Sequence, residues 1–205
     1  MVSTKELKEF VRVIKDYELD VFDIIFDLVF VPTHSNSHNL VCLRAMPYPG
    51  TNIIKESQFE NNPNLKLVFI DHSVQILENN CFGNCTLLKN IKISPFVKEI
   101  GHGSFINCSN LSNIYLPDSV IELGFGAFIN CCKLKKVRIS KSLEIINEYL
   151  FYNCIRLSKL YIPDNIKYIS DESFCKCRKL EKIRIGNQTE ISNKAFYLCK
   201  NIKLV

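Results

Sequence analysis

Ten cysteines are the residues of this 205-residue chain whose side chains could most readily bind a metal or form disulfides. Two pairs have a spacing that could suggest zinc, Cys81-x-x-x-Cys85 and Cys175-x-Cys177. Neither pair has a matching second pair or a nearby histidine, and a structural zinc site needs four convergent ligands. We therefore predict no metal site and no cofactor. We expect reduced, buried thiols, although the spacing alone leaves disulfides open.

The histidines do not pair with a nucleophile at a catalytic spacing. The four are His34, His38, His72 and His102. The sequence also lacks a phosphate-binding loop, a G-x-S-x-G turn and an H-E-x-x-H helix. We therefore predict that the protein is not an enzyme.

The cysteines form one column of a 23-residue repeat. Its phenylalanine column is Phe82, Phe105, Phe128, Phe151 and Phe174, with a cysteine three residues after each and a leucine three residues later. A fixed period of about 20–29 residues with several apolar positions in register is typical of a solenoid. Each coil cannot bury its own apolar edge, so we expect coils to stack and the phenylalanines to lie together inside.

Each repeat has the same predicted parts. A strand such as 113–116 alternates inward and outward side chains, and a Pro-Asp turn follows at 117–118. A V-x-x-I element then returns two apolar groups inward. Gly124, Asn147 and their equivalents precede a short helical turn that carries the phenylalanine. We expect the asparagines before the cysteines to hydrogen-bond backbone groups.

The chain divides into two predicted regions. Residues 1–39 are predicted to form a helical N-terminal cap, since Ser3 and Glu6 have the spacing of a capping box and an almost wholly apolar helix follows Asp20. Residues 40–205 are predicted to form the solenoid. Its first repeat is degenerate, with Ile54 and Phe59 standing 23 residues before their equivalents.

The repeat resembles a known family. The stretch Leu116 to Val137 follows the pattern L-P-x-S-V-x-x-I-G-x-x-A-F-x-N-C-x-x-L-x-x-I and is similar to the BspA-type leucine-rich repeat, over roughly residues 50–205. The resemblance implies a curved, right-handed α/β solenoid with a parallel sheet on its concave side. It also implies a non-catalytic binding module, displayed on microbial or protist surfaces in some members and intracellular in others.

Charge and hydropathy bear on location and partners. Residues 1–132 carry 10 basic and 14 acidic side chains, and residues 133–205 carry 16 and 7, so we expect an acidic and a basic end. No secretory signal or membrane-spanning run is visible. The sequence therefore predicts a cytoplasmic or nuclear protein, with cell-surface display by a route not visible in the sequence as the alternative.

The outward side chains of the concave sheet form the candidate site. The partner-binding residues are predicted to be Phe69, Lys92, Tyr115, Lys136, Arg138, Lys159, Tyr161, Lys182 and Arg184. Tyrosine and arginine are enriched at binding hot spots. We predict that this face docks an acidic protein segment, for example as a phosphatase-regulatory subunit. The alternatives are a surface adhesin for a host or matrix protein, a merely solvated face, and nucleic-acid binding.

The last coil suggests self-association. It ends without a recognisable cap, and its exposed apolar set is predicted to be Phe196, Ile202, Leu204 and Val205. Soluble proteins usually shield such an edge. We predict a homo-oligomer, either a closed dimer or a dimer of dimers, through this end.

Overall fold

Eight strands of two to four residues, here called the long strands, form one side of a stack of coils in the part of the chain that the structure describes. The computed structural model describes residues 42–200 and 202–204. The long strands are β1 (Cys42–Ala45), β3 (Leu67–Ile70), β5 (Asn90–Lys92), β7 (Asn113–Tyr115), β9 (Lys136–Arg138), β11 (Lys159–Tyr161), β13 (Lys182–Ile183) and β15 (Lys203–Leu204). Within three groups, β1–β3–β5, β7–β9–β11 and β13–β15, neighbouring strands pair in parallel, as Ile114 with Val137 does.

Seven two-residue strands form a second side of the same coils. They are β2 (Ile53–Ile54), β4 (Ile76–Leu77), β6 (Glu99–Ile100), β8 (Glu122–Leu123), β10 (Ile145–Ile146), β12 (Tyr168–Ile169) and β14 (Glu190–Ile191). They also pair in parallel, for example Ile100 with Leu123. β4, β6, β8, β10 and β12 are each the second half of a V-x-x-I element, so this element contains a strand that turns one apolar side chain inward. The described residues therefore form a parallel β-solenoid of about seven coils.

The phenylalanines lie in one buried stack, as the repeat predicts. Seven rings follow one another, from Phe59 to Phe196, with centroids 5.2–5.7 Å apart and planes within 14° of parallel. Phe105, Phe128 and Phe151 are fully buried. Offset stacking of aromatic rings adds about 0.5–1.5 kcal/mol per pair to the free energy of area burial. The stack is thus a large part of the core.

The degenerate first repeat is confirmed as a coil. Ile54 pairs with Leu77 across β2 and β4, and the Phe59 ring stacks on Phe82 with centroids 5.2 Å apart. β1 is the first strand of the described residues.

The predicted helical turns are wrong, and with them the α/β description. No helix occurs in residues 42–200 and 202–204. The Phe105 N–H donates to the carbonyl oxygen of Ala127 in the next coil, at 2.9 Å, instead of to its own turn. Gly103 and Asn107 on either side have φ of 57° and 59°, and a right-handed helix cannot contain left-handed residues four positions apart. The helical cap predicted for residues 1–39 lies outside the described residues.

Gly101 and Gly124, which precede phenylalanine turns, each lie in close contact with the backbone of the preceding coil. A Cβ built on Gly124 would lie 2.4 Å from the backbone nitrogen of His102 in the preceding coil. No side chain fits in that space without moving the backbone. Gly124 is therefore needed for the approach of two coils, not for a helix cap.

The asparagines before the cysteines bond to one another. The Asn107 side-chain amide donates to the Asn84 side-chain oxygen at 2.7 Å, and Asn130 donates to Asn107 at 2.8 Å. Their φ values lie near 59°, a region that asparagine tolerates better than most residues. The column is thus a side-chain ladder and not the set of backbone contacts that the sequence predicts.

A truncated ring should show how much the stack contributes. Phe128→Ala should lower the free energy of unfolding by about 3–5 kcal/mol, because it leaves a cavity between two rings. Phe96→Ala, at a ring that is more than half exposed, should change it by less than about 1 kcal/mol. Urea unfolding followed by circular dichroism measures both. Equal losses would contradict the central role of the stack.

Candidate protein-binding face

The predicted partner-binding residues share one face, which we call the long-strand face. It is formed by the outward side chains of the odd-numbered strands. Register places Tyr115 beside Arg138 and Arg138 beside Tyr161 in one column. In the parallel column, Lys136 pairs with Lys159 and Lys182 pairs with Lys203. The sequence therefore locates the two columns correctly, while their role in binding remains a prediction.

Arg138 is held by its own chain. Its Nη1 donates to the carbonyl oxygen of Leu116 at 2.9 Å, and its Nη2 donates to Oδ2 of Asp118 at 2.9 Å. Its guanidinium carbon lies 4.4 Å from the centre of the Tyr115 ring. The hydrogen bond from Arg138 is the main reason that the pKa of Asp118 lies below its ordinary value. The charge of Arg138 is therefore largely offset.

Arg184 repeats this arrangement more loosely. Its Nη2 lies 3.7 Å from Oδ2 of Asp164, and both side chains are mostly exposed. Exposed pairs of this kind contribute little. The aspartates come from the Pro-Asp turns, so the motif that ends one strand partly neutralises the arginine of the next.

The lysine column keeps its charge. Lys136, Lys182 and Lys203 are exposed. None of the ion pairs found within residues 42–200 and 202–204 includes them. Adjacent parallel strands lie about 4.8 Å apart, so like charges are aligned along the face. This column is the strongest uncompensated positive charge of the long-strand face.

The two tyrosines supply contact area between the charges. Tyr115 and Tyr161 are 46% and 48% exposed. Toward the N-terminal side the face changes character, because Phe69 and Lys92 are half-buried and their column neighbours are Leu67 and Asn90. The structure therefore divides the predicted set into one part that is rich in lysine, arginine and tyrosine and a half-buried part with a single lysine.

In one coil, charge is segregated between the long-strand and short-strand sides, which sequence reasoning missed. In the coil from 131 to 153, the long-strand half at 131–142 holds five basic residues and no acid. The short-strand half at 143–153 holds Glu144 and Glu148 and no base. The sequence analysis divided charge along the chain only. Sorting charges by their position within the repeat would have revealed the second division.

The cysteine column is a buried ladder of thiols. The Sγ atoms of Cys108, Cys131 and Cys154 each donate to the carbonyl oxygen of a phenylalanine in the preceding coil, at 3.2 Å. Burial raises the pKa of these thiols well above its ordinary value. Cys85, nearer the end of the column, has a pKa of about 11 for the same reason. Such thiols are poor nucleophiles and metal ligands.

The other potential metal ligands of the described residues do not cluster. Among the residues described, no group of three or more His, Cys, Asp and Glu side chains is placed to hold a metal. The cysteines from Cys81 to Cys199 are free thiols. His102 accepts the Phe125 N–H at Nδ1, at 2.9 Å, and His72 lies against Phe96. His34 and His38 fall outside the described residues. No helix in the described part of the chain could cross a membrane.

The predicted oligomerisation residues lie on the last coil. Phe196 is half-buried and stacks on Phe174 with centroids 5.2 Å apart. Ile202 is half-buried and Leu204 is half exposed, whereas Val205 is outside the described residues. Self-association through this set stays a prediction.

Comparison with known proteins gives a consistent picture of the repeat. A family model described as "BspA type Leucine rich repeat region" matches residues 35–131 and 87–203, in six copies. No curated protein matches the chain.

Several solved structures are similar. A leucine-rich repeat protein from Bacteroides ovatus is 25% identical with a TM-score of 0.56, over 75% of this chain and 52% of that one. The leucine-rich repeat protein of T. pallidum is 23% identical with a TM-score of 0.54, over 69% and 78%. A leucine-rich cell surface protein from Faecalibacterium prausnitzii is 22% identical with a TM-score of 0.54, over 80% and 58%. The chain thus spans about half the length of the B. ovatus protein, and the last two similarities show the fold alone.

The buried thiols predict how stability depends on pH. Unfolded thiols ionise near their ordinary value of 9.0, whereas native Cys85 and Cys199 keep their protons until a pH of about 11. Because the folded pKa is raised, their stabilising contribution is complete below pH 9 and is lost as pH rises toward 11. The urea midpoint should therefore fall as pH rises from 9 to 11, a range in which lysines, with an ordinary pKa of about 10.4, also lose their protons.

The matched variant carries Cys85→Ala and Cys199→Ala. Its midpoint should decline less steeply with pH than that of the wild type, whatever its stability at neutral pH. A parallel decline in both proteins would contradict the assignment.

Proposed function

Because this chain belongs to the BspA-type leucine-rich repeat family, we propose that it is a non-enzymatic protein-interaction module. Its long-strand face binds an acidic segment of a protein partner. The observation that carries this proposal is the lysine column, whose charge is not offset by the aspartates that pair with Arg138 and Arg184.

Electrostatics favours an acidic partner on this face. Lysines aligned one coil apart repel one another, and carboxylates placed across them relieve that repulsion while steering association. Tyr115 and Tyr161 then add apolar area with polar tips, the combination enriched at hot spots. Arg138 is already positioned by Asp118 and Tyr115, so it loses little side-chain entropy if a partner contacts it.

An adhesin-like role at a cell surface is the second candidate. Membership in the BspA-type family supports it, because that family includes surface-displayed binding modules. The same face would then contact a host or matrix protein. A regulatory role inside the cell, such as control of a phosphatase, would use the same face in the cytoplasm or nucleus. Staining of intact and permeabilised cells distinguishes the two locations.

Partner capture should depend on the lysine column. Immobilised wild type is compared with Lys136→Ala/Lys182→Ala, first in cell extract and then against host matrix proteins. The double variant should bind the captured partner at least about tenfold more weakly, since two desolvated charge contacts are lost. A control, Lys98→Ala/Lys194→Ala, removes the same charge from the other side of the coils and should bind normally. Equal loss in both variants would indicate a net-charge effect and contradict the site.

Nucleic acid is tested in the same experiment. Captured material is treated with nuclease and eluted over a salt gradient. A partner that disappears with nuclease, and whose affinity falls with a steep slope in log salt, would replace the protein-binding proposal.

Asp118 should limit binding through Arg138. Asp118→Asn removes the carboxylate that offsets the guanidinium, so the variant should bind the acidic partner about two- to fivefold more tightly. The matched change Asp164→Asn should have a smaller effect, because Arg184 pairs at 3.7 Å with an exposed carboxylate. Titration by surface plasmon resonance measures both. Weaker binding by Asp118→Asn would mean that Arg138 needs its internal partner to be positioned.

A further inference from the structure

The short strands carry a two-residue acidic ladder, Glu99 and Glu122, opposite in sign to the lysine column. We call the outward side chains of β4 to β12 and the residue preceding each strand the short-strand face. Glu99 and Glu122 are direct register partners on adjacent strands. Glu78 and Glu56 lie beside them around a shallow groove floored by Gly101 and Gly124. Like charges opposite each other on neighbouring strands are destabilising, so this arrangement has a cost in the isolated molecule.

Positive charge on this face offsets only part of the carboxylates. Lys167 is paired with Glu144 at 2.7 Å. Lys98 precedes Glu99 and is exposed, with no ion pair among those within the described residues. The stretch from 120 to 130 carries Glu122 and no base. The part of the face around β8 is therefore acidic.

Exposed apolar side chains adjoin the carboxylates. Ile121 and Ile145 are 58% and 45% exposed, and Tyr168 is also exposed. Isoleucine on an open sheet face favours burial against another surface. The face thus combines an apolar patch with carboxylates, as the long-strand face combines two tyrosines with lysines.

The spacing of the two ladders points to the occupant. Both follow the coil repeat, so neighbouring charges lie about 4.8 Å apart, in the lysine column and in the Glu99 and Glu122 pair. A single extended peptide presents side chains to one side about every 6.7 Å and loses register after two charges. A second stack of the same coils stays in register over the whole contact. The charge signs of the two faces are complementary.

We propose that the short-strand face of one molecule binds the long-strand face of a second copy. This inference rests on the binding face proposed above, for which it names one partner. The contact is heterologous, so a pair of copies keeps one unused face of each kind, and association continues until a ring closes or an open chain grows. It brings Glu99 and Glu122 opposite the lysine column and covers Ile121 and Ile145.

Sedimentation analysis of two neutralised variants tests the contact. Lys136→Gln/Lys182→Gln lacks the basic ladder, and Glu99→Gln/Glu122→Gln lacks the acidic one. Wild type should form species larger than a dimer of its 23.7 kDa chain at low ionic strength. At about 1 M salt, where the Debye length is about 3 Å, it should return to monomer. Each variant alone should associate at least about tenfold more weakly than wild type.

Mixing the variants gives the most specific result. One variant offers only an acidic face and the other only a basic face, so the mixture should form a 1:1 dimer that does not grow with concentration. The charge-matched control Lys194→Gln/Lys200→Gln lies at exposed positions away from both ladders and should behave as wild type. Circular dichroism confirms that every variant is folded.

Three results would overturn the inference: monomeric wild type at low salt, association that both variants retain, or a mixture that stays monomeric. The proposed function fails separately. If the Lys136→Gln/Lys182→Gln variant still captures the acidic partner, that function is wrong whatever the sedimentation result. If it loses the partner while wild type is monomeric, only the second-copy inference fails.

Discussion

Hydrogen bonding between successive coils is the constraint on which the rest of the structure depends. Three sides of each coil donate backbone N–H groups to a neighbouring coil, at the long strand, at the short strand and at the phenylalanine turn. Equivalent residues are therefore held about 4.8 Å apart. Each side chain therefore packs against a similar side chain in the coils before and after it. Aromatic rings, thiols and asparagine amides stack favourably in this way.

Charged side chains of the same sign repel each other in such a stack. Their positions therefore indicate candidate binding surfaces. The Pro-Asp turns offset arginines on the long-strand face, as Asp118 does for Arg138. Neither the lysine column nor the Glu99 and Glu122 pair has such an internal partner among the ion pairs described above. A partner of opposite charge relieves the repulsion between like charges that have no ion pair within the chain. The electrostatic free energy of binding is therefore most favourable at these columns.

The repeat could be predicted from sequence because its columns are identical, as Phe105 and Phe128 illustrate. The non-helical shape of the phenylalanine turn could not be predicted, because the left-handed residue that excludes a helix there is glycine in two coils and Asn80 or Tyr149 in others. The backbone hydrogen bonds of this turn join residues about one repeat apart, as from Phe105 to Ala127, so no local sequence pattern predicts them. Arg138 was predicted only as an outward, partner-binding residue, because its hydrogen bond to Asp118 joins residues 20 positions apart. The acidic short-strand face was missed because charges were counted along the chain.

Hydrogen exchange at the phenylalanine turns tests the central claim most directly. The amides of Phe105, Phe128 and Phe151 donate to carbonyl oxygens of the following coil at 2.7–3.0 Å. If coil-to-coil bonding holds the molecule together, these amides exchange only through global unfolding, with the same protection as the long-strand amide of Ile114. Exchange at these turns that is orders of magnitude faster than at Ile114 would contradict the account.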